Sequence, residues 1–229
     1  MKIYDYLPAA AKTEKLLDTA FERVTHHMAG VTGEVGEVID MLKKSVIYDR
    51  PLDRAKFVKE LGDVCWYLAG LCNTLGLDGN QVEHHMTRSA QFGRDLHEIE
   101  GDFHCLRETL FLSRMIVDSV SVIEDLPTHE DRVIVLGNAF NHLLVIGAGW
   151  IDGLTLAEIL KTNIDKLSVR HAGGGYTSEG QLAQADEKLA EKMTAAFATP
   201  EIVAMVDNLA QGLNSIGERV DPADPVVGD

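Results

Sequence analysis

Positive charge is scarce in this chain: 21 Lys and Arg stand against 36 Asp and Glu, a formal charge of −15 at pH 7. Nucleic-acid backbones and anionic membranes bind by exchanging counterions for clustered Lys and Arg, and no segment concentrates them, so neither is expected as a partner. A small anionic ligand stays open, because a bound cation would reverse the local field. Cysteine is scarce too. Cys65, Cys72 and Cys105 sit inside apolar helical patterns with no CxxC or finger spacing, which excludes a disulfide framework and structural zinc and fits a reducing compartment. The N terminus lacks the charged-then-apolar layout of a signal peptide, and no apolar run reads as long enough to span a bilayer, so a cytoplasmic protein is expected. What is present is a 45% hydrophobic composition, ample for the core of one large or two small globular domains.

Strand alternation is also missing. Apolar residues recur at spacings of three and four, punctuated by Pro, Gly, Asp and Thr, which predicts an all-α helix bundle. Helices are expected over 8–29, 31–46, 54–75, 79–98, 104–125, 129–150, 155–170, 182–197 and 201–216. Asp53 after Pro51 reads as an N-cap, Thr128 with Asp131 as a cap pair, and Thr199 before Pro200 as a third start. Residues 220–229 read as a frayed tail. A faint internal repeat runs through this pattern. Leu61-Gly62-Asp63 is echoed by Leu136-Gly137-Asn138, Gly76-Leu77 by Gly153-Leu154, and Val38-Ile39-Asp40 by Val122-Ile123-Glu124. Two unrelated helical hairpins would produce a few such coincidences, so the echo alone leaves duplication open.

The chemistry is carried by carboxylates. Glu34, Glu37 and Asp40 follow one another at i, i+3 spacing, which keeps them within about a third of a helix circumference. Glu60 and Asp63 form a second such pair among Leu61, Val64, Trp66 and Leu68, residues that should face a core. Taken singly, either motif is ordinarily an exposed stripe paired with Lys or Arg. Taken together, like charges embedded in apolar surroundings require a compensating cation. Hard divalent cations prefer oxygen ligands, which facing helices can present inward, so Mg²⁺ is the natural candidate, with Mn²⁺ the alternative. Lys43, Lys44 and Arg50 could meet a phosphate-bearing ligand or simply mark an exposed helix end. Trp66 and Tyr67 read as core or pocket wall, with base stacking the sharper alternative.

The run Gly33-Glu34-Val35-Gly36-Glu37-Val38-Ile39-Asp40, then Lys43-Lys44, Pro51-Leu52-Asp53 and Glu60-Leu61-Gly62-Asp63-Val64-Cys65-Trp66-Tyr67-Leu68, resembles the MazG-like branch of the all-α nucleotide pyrophosphohydrolases over about residues 20–85. The family's downstream Asn-x-x-Lys-Leu-x-x-Arg element is matched by Asn163, Lys166, Leu167 and Arg170, displaced by about eighty residues from its usual place. His171 stands where the family's aromatic residue follows the Arg, and Gly33 stands where typical members often carry a second Glu. The resemblance implies hydrolysis of a (deoxy)nucleoside triphosphate to the monophosphate and pyrophosphate. It implies Glu34, Glu37, Glu60 and Asp63 as Mg²⁺ ligands, Glu37 or Glu34 as the base, and Asp40 as a further candidate ligand or base. Substrate contacts would come from Lys43, Lys44, Trp66, Asn163, Lys166 and Arg170. A dUTP or other pyrimidine-nucleotide pyrophosphatase, and a non-catalytic nucleotide-binding regulator, are the alternatives.

With the resemblance in hand, the repeat acquires a functional reading. A second copy would place Asp118, Ser121, Val135 and Asn138 where the first has Glu34, Glu37, Glu60 and Asp63, whereas the Asn-x-x-Lys-Leu-x-x-Arg element survives only after the second copy. The expected layout is therefore a metal-binding unit over 1–100, a degenerate unit over 101–180 that supplies substrate contacts, and C-terminal helices with an acidic tail over 181–229. Exposed amphipathic faces would then be covered in a homo-oligomer, a dimer at the simplest. Leu143 to Gly149 mimics a dinucleotide-binding turn, but its third glycine is one place late, at Gly153, and its flanks are helical. His26-His27 and His84-His85 cannot chelate one ion as helix neighbours, and surface or substrate-pocket roles are expected of them.

Overall fold

The computed structural model describes residues 1–15, 17–90 and 101–170, all within a compact unit spanning Met1–Tyr176. The predicted helices 182–197 and 201–216, the start at Thr199, His171 and the tail lie outside the described residues, as does the last part of the expected helix 79–98. Among the described residues there are seven helices and no strand: α1 (Ile3–Ala11), α2 (Ala20–Tyr48), α3 (Arg54–Thr74), α4 (Gly79–Ala90), α5 (Asp102–Ser121), α6 (His129–Trp150) and α7 (Leu156–Arg170).

Local chemistry sets most of the boundaries. Asp53 Oδ1 accepts from the Lys56 amide at 3.0 Å, and Thr128 Oγ1 accepts from that of Asp131 at 3.0 Å, so both expected caps are in place. The N-terminal third departs from expectation. Instead of helices over 8–29 and 31–46, α1 runs from Ile3 to Ala11 with Pro8 inside it, and α2 is one 29-residue helix. Thr19 starts α2 with a capping box: its hydroxyl accepts from the Glu22 amide at 3.1 Å while Glu22 Oε2 accepts from the Thr19 amide at 2.9 Å. This box, one turn of polar sequence long, divides α1 from α2 although the three-and-four apolar spacing continues across it. Tertiary burial holds α1: Ile3, Tyr6, Leu7 and Ala10 are buried, and α1 packs on α3, α4 and α7. That burial outweighs the backbone hydrogen bond Pro8 cannot donate.

The helices form two hairpins, α2 with α3 and α5 with α6, and each is followed by a short third helix. Gly76 (φ 66°) and Gly153 (φ 72°) make the left-handed turns that lead into α4 and α7. The third helices are exchanged: α4 packs on α6 of the second hairpin, and α7 packs on α3 of the first. The small residues at the crossings correspond as well. A Cβ on Gly62 would lie 2.9 Å from Asn163 Cβ on α7, and one on Gly137 would lie 2.9 Å from His85 Cβ on α4.

α3 and α6 are the inner helices. Phe57, Leu61, Val64, Cys65, Leu68 and Leu71 of α3 are buried, as are Val133, Leu136, Phe140, Leu143 and Ile146 of α6. Contrary to the expectation that no apolar run is long enough to span a bilayer, α6 is long and apolar enough to cross one by length and composition alone; half of that stretch is buried within the protein. Packing against α3, α4 and α5 on different sides accounts for its apolar character, since a helix enclosed by neighbours needs no single polar face. The dinucleotide-like Leu143 to Gly149 lies within this helix and offers no strand-to-helix turn.

Candidate active site

α2 turns Val24, His27, Val31, Val35, Val38 and Leu42 into the core, at spacings of three and four. Glu34 and Glu37 flank that stripe and so reach the seam between α2 and α3, where Glu60 of α3 is only 5% exposed. One carboxylate oxygen from each of Glu34, Glu37 and Glu60 lies within 4.8 Å of the other two. Three carboxylates this close repel strongly when ionised, and burial of Glu60 removes the water that would screen them. Oxygen donors converging from two helices fit a hard divalent cation, which would compensate that charge. Among the described residues this is the one cluster of its kind.

Asp63, one turn beyond Glu60, is held from α7. Asn163 Nδ2 donates to Asp63 Oδ1 at 2.9 Å, and the Lys166 ammonium pairs with Asp63 Oδ2. Both members of that ion pair are less than one-fifth exposed. Asn163 is itself fully buried, and its Oδ1 accepts from the Tyr6 hydroxyl at 2.7 Å. Burial pushes the Tyr6 phenol well above its ordinary pKa, with the negative charges nearby adding to the effect, so it stays a donor. Tyr6 was not singled out from the sequence. The signal that could have found it is the 3, 6, 7, 10 spacing of Ile3, Tyr6, Leu7 and Ala10, which turns the one polar tip of that stripe inward. The close approach that makes this possible depends on Gly62, where any side chain would collide with Asn163. Gly33 and Gly36, beside the carboxylates of α2, stand in open space instead.

Other predicted site residues are placed differently. Asp40 is outside the three-carboxylate cluster: its two oxygens take Lys43 at 2.7 Å and Lys44 at 2.5 Å. Hydrogen bonds from those two lysines lower the Asp40 pKa to about 2. The Trp66 indole donates to Thr13 Oγ1 at 3.0 Å and meets Tyr67 edge-on, with ring centroids 4.9 Å apart. His27, expected at the surface or in a pocket, is completely buried beside them and bonds Glu14 through Nε2 at 2.6 Å. Its neighbour His26 is half-buried, and desolvation followed by the proximity of His27 lowers its pKa. His84 and His85 line a separate groove of about 380 Å³ between α4 and α6 with Asn80, Gln81, His129, Glu130 and Val133. Arg170 ends α7, while its side chain lies outside the described residues.

The second hairpin has a different chemistry at the corresponding positions. Asp118 is exposed and pairs with Arg114 at 3.1 Å, Ser121 turns its hydroxyl back to the Asp118 carbonyl, and Val135 and Asn138 supply no carboxylate. Among the described residues the acidic cluster thus lies on α2 and α3, with Asn163 and Lys166 of α7 on the neighbouring Asp63 and Tyr6 of α1 behind Asn163.

Comparison with known proteins bears on the part of the chain that holds α2 and α3. No curated protein and no solved structure matches the chain. A family model does, over residues 22–89, a stretch that contains α3, most of α2 and nearly all of α4. Proteins of that type hydrolyse nucleotide pyrophosphate bonds and generally depend on divalent metal, in keeping with the acidic cluster. Residues 22–89 of this all-α chain, with Glu34, Glu37, Glu60 and Asp63 among them, are a MazG nucleotide pyrophosphohydrolase domain.

Proposed function

We propose that the protein hydrolyses a (deoxy)nucleoside triphosphate between its α and β phosphates, releasing the nucleoside monophosphate and pyrophosphate. The observation that carries this reading is the convergence of Glu34, Glu37 and Glu60 within 4.8 Å, next to an Asp63 approached by Asn163 and Lys166. In this reading Glu34, Glu37, Glu60 and Asp63 hold Mg²⁺ or Mn²⁺. When bound, the ion supplies positive charge to the phosphate oxygens and acidifies the attacking water. Glu37 accepts that water's proton, and Glu34 is the residue that could exchange roles with it.

The remaining roles follow from position. Lys166 carries a cation paired with Asp63 and would turn from it towards a phosphate once Asp63 binds metal. Asn163, locked by Tyr6 and by Gly62, fixes where Lys166 stands. Arg170 is one turn further along α7 and would extend the same cationic edge. Lys43 and Lys44, held on Asp40, are candidate partners for an outer phosphate, and Trp66 is a candidate pocket wall. The exchanged third helices support a fused-duplicate origin, in which one hairpin contributes metal ligands and the helix after the other contributes substrate contacts.

The test is a panel of the NTPs, dNTPs and dUTP with Mg²⁺ or Mn²⁺, separated by chromatography. Monophosphate and pyrophosphate in equal amounts from one or a few members would establish the reaction and its base preference. Glu37→Gln should lower kcat by about 100-fold or more, as expected for loss of a general base, with the helical circular dichroism unchanged. Full activity in that variant overturns the assignment of the base, and folded, metal-bound protein with no turnover on any nucleotide favours a binding or regulatory role.

A further inference from the structure

Asn163 is completely buried, and both ends of its amide are engaged within the protein: Nδ2 donates to Asp63 Oδ1 at 2.9 Å, and Oδ1 accepts from the Tyr6 hydroxyl at 2.7 Å. A side chain so enclosed does not reach a nucleotide. It acts on what it holds. An ionised carboxylate has no proton to give, so the amide must turn its NH₂ to Asp63, and its own oxygen then faces a buried place where a donor is required. Tyr6, itself completely buried, is that donor. The phenol is a fixed anchor, because α1 is pinned on both sides of it. Before it, the Ile3 amide donates to Glu83 Oε2 of α4 at 2.9 Å; after it, the Leu7 carbonyl accepts from Asn73 Nδ2 of α3 at 2.9 Å. Gly62 lies so close to Asn163 that a Cβ there would come within 2.9 Å of Asn163 Cβ, which leaves the amide no room to seek another partner.

We infer that Tyr6 is a positioning residue for the cation site: through Asn163, its hydroxyl keeps one oxygen of Asp63 occupied and aimed, so that the other oxygen is the one offered to the cation. The inference rests on the reading above in which Asp63 is a ligand. A bond donated to the amide oxygen polarises the amide and strengthens the bond its NH₂ makes to Asp63. Lys166 gives the arrangement its consequence. It pairs with Asp63 Oδ2, and a carboxylate released by Asn163 could turn both oxygens to that ammonium, which would then compete better with the cation. Hydrogen-bond partners behind a metal ligand commonly alter affinity by about 10- to 100-fold.

The test needs no nucleotide. Mn²⁺ binding to the full chain is titrated through the electron paramagnetic resonance signal of the free ion, and urea denaturation of the same samples gives stability. Tyr6→Phe removes one oxygen and keeps the ring, and its Mn²⁺ Kd should rise by about tenfold or more. Val133→Ala, which opens a cavity beside the groove between α4 and α6, should lower stability at least as much and leave the Kd unchanged. Asp63→Asn should weaken Mn²⁺ binding, and adding Tyr6→Phe to it should weaken binding no further, because the phenol acts through the Asp63 carboxylate. Parental Mn²⁺ binding in Tyr6→Phe, with binding weakened in Asp63→Asn, overturns the inference and leaves the ligand assignment standing. Unchanged binding in Asp63→Asn, or a parent protein that binds no Mn²⁺, removes the ligand assignment and the inference with it. A Kd that follows stability across Tyr6→Phe and Val133→Ala alike gives the phenol a structural role and overturns the inference as well. If Tyr6→Phe does not fold, Asn163→Ala takes its place, with the same rise in Kd expected and an unchanged Kd overturning the inference.

Discussion

The residue on which the site's geometry turns is Gly62. It lies in α3 between Glu60 and Asp63, and a methyl group there would press to 2.9 Å from Asn163 Cβ and 3.3 Å from Asn163 Nδ2. Asn163 is completely buried and bridges Tyr6 to Asp63, so it has no free direction in which to retreat. Gly62→Ala should therefore push α7 away and destabilise the fold by about 1–3 kcal/mol, the usual cost of overpacking. Gly33→Ala should do the reverse. Gly33 is inside α2 with open space around it, and alanine is favoured over glycine in a helix interior by about 0.5–1 kcal/mol. Urea denaturation of the two variants measures both signs, and a Gly62→Ala protein as stable as the parent would show that α3 and α7 are not held together as described. Of the predicted site residues, the carboxylates could be read from spacing alone, because i, i+3 neighbours share a helix face whatever surrounds them. Tyr6 could not, because its role depends on a partner 157 residues away.

At the scale of the element, α2 bears two of the three clustered carboxylates, and its register begins at the Thr19 and Glu22 capping box. The Glu22 carboxyl is held below its usual pKa chiefly by the Thr19 amide, so the box is formed with Glu22 ionised. Removing the hydroxyl in Thr19→Ala should cost about 1 kcal/mol of stability. It should leave kcat unchanged, because fraying of the first turn stops well short of Glu34. Chemical denaturation and steady-state kinetics on one preparation check both halves, and a large fall in kcat would mean that the start of α2 sets the position of the carboxylates. The boundaries of α3, α6 and α7 were legible in the sequence to within a residue because a cap or a glycine turn lies at their ends. Those of α1 and α2 were not, because burial against α3, α4 and α7 extends α1 on both sides of Pro8.

For the molecule as a whole, the three carboxylates store repulsion that a cation would relieve, and binding confined to the folded state stabilises it by mass action. Millimolar Mg²⁺ or Mn²⁺ should raise the melting temperature by several degrees, on the order of 2–3 kcal/mol at a hundred times Kd, and a chelator should reverse the shift. Glu60→Gln should remove most of that response while leaving the metal-free protein as stable as the parent or more so, because the variant no longer buries a like charge. A metal response that survives Glu60→Gln would place the bound ion outside this cluster.

The sequence by itself determined the helical class, the ends of α3, α6 and α7, and the acidic stripes on α2 and α3, since these rest on periodicity, caps and spacing within a few turns of chain. It also contained the matching positions of two hairpins and the Asn163, Lys166 and Arg170 motif, without saying which surfaces they share. Only the tertiary structure decided that α7 crosses to α3 while α4 crosses to α6, that Asp40 turns to Lys43 and Lys44 and not to the cluster, and that His27 is buried against Glu14. Those outcomes depend on close packing between segments as much as 157 residues apart, where one missing methyl group at Gly62 decides how near two helices come, and no local pattern encodes that distance.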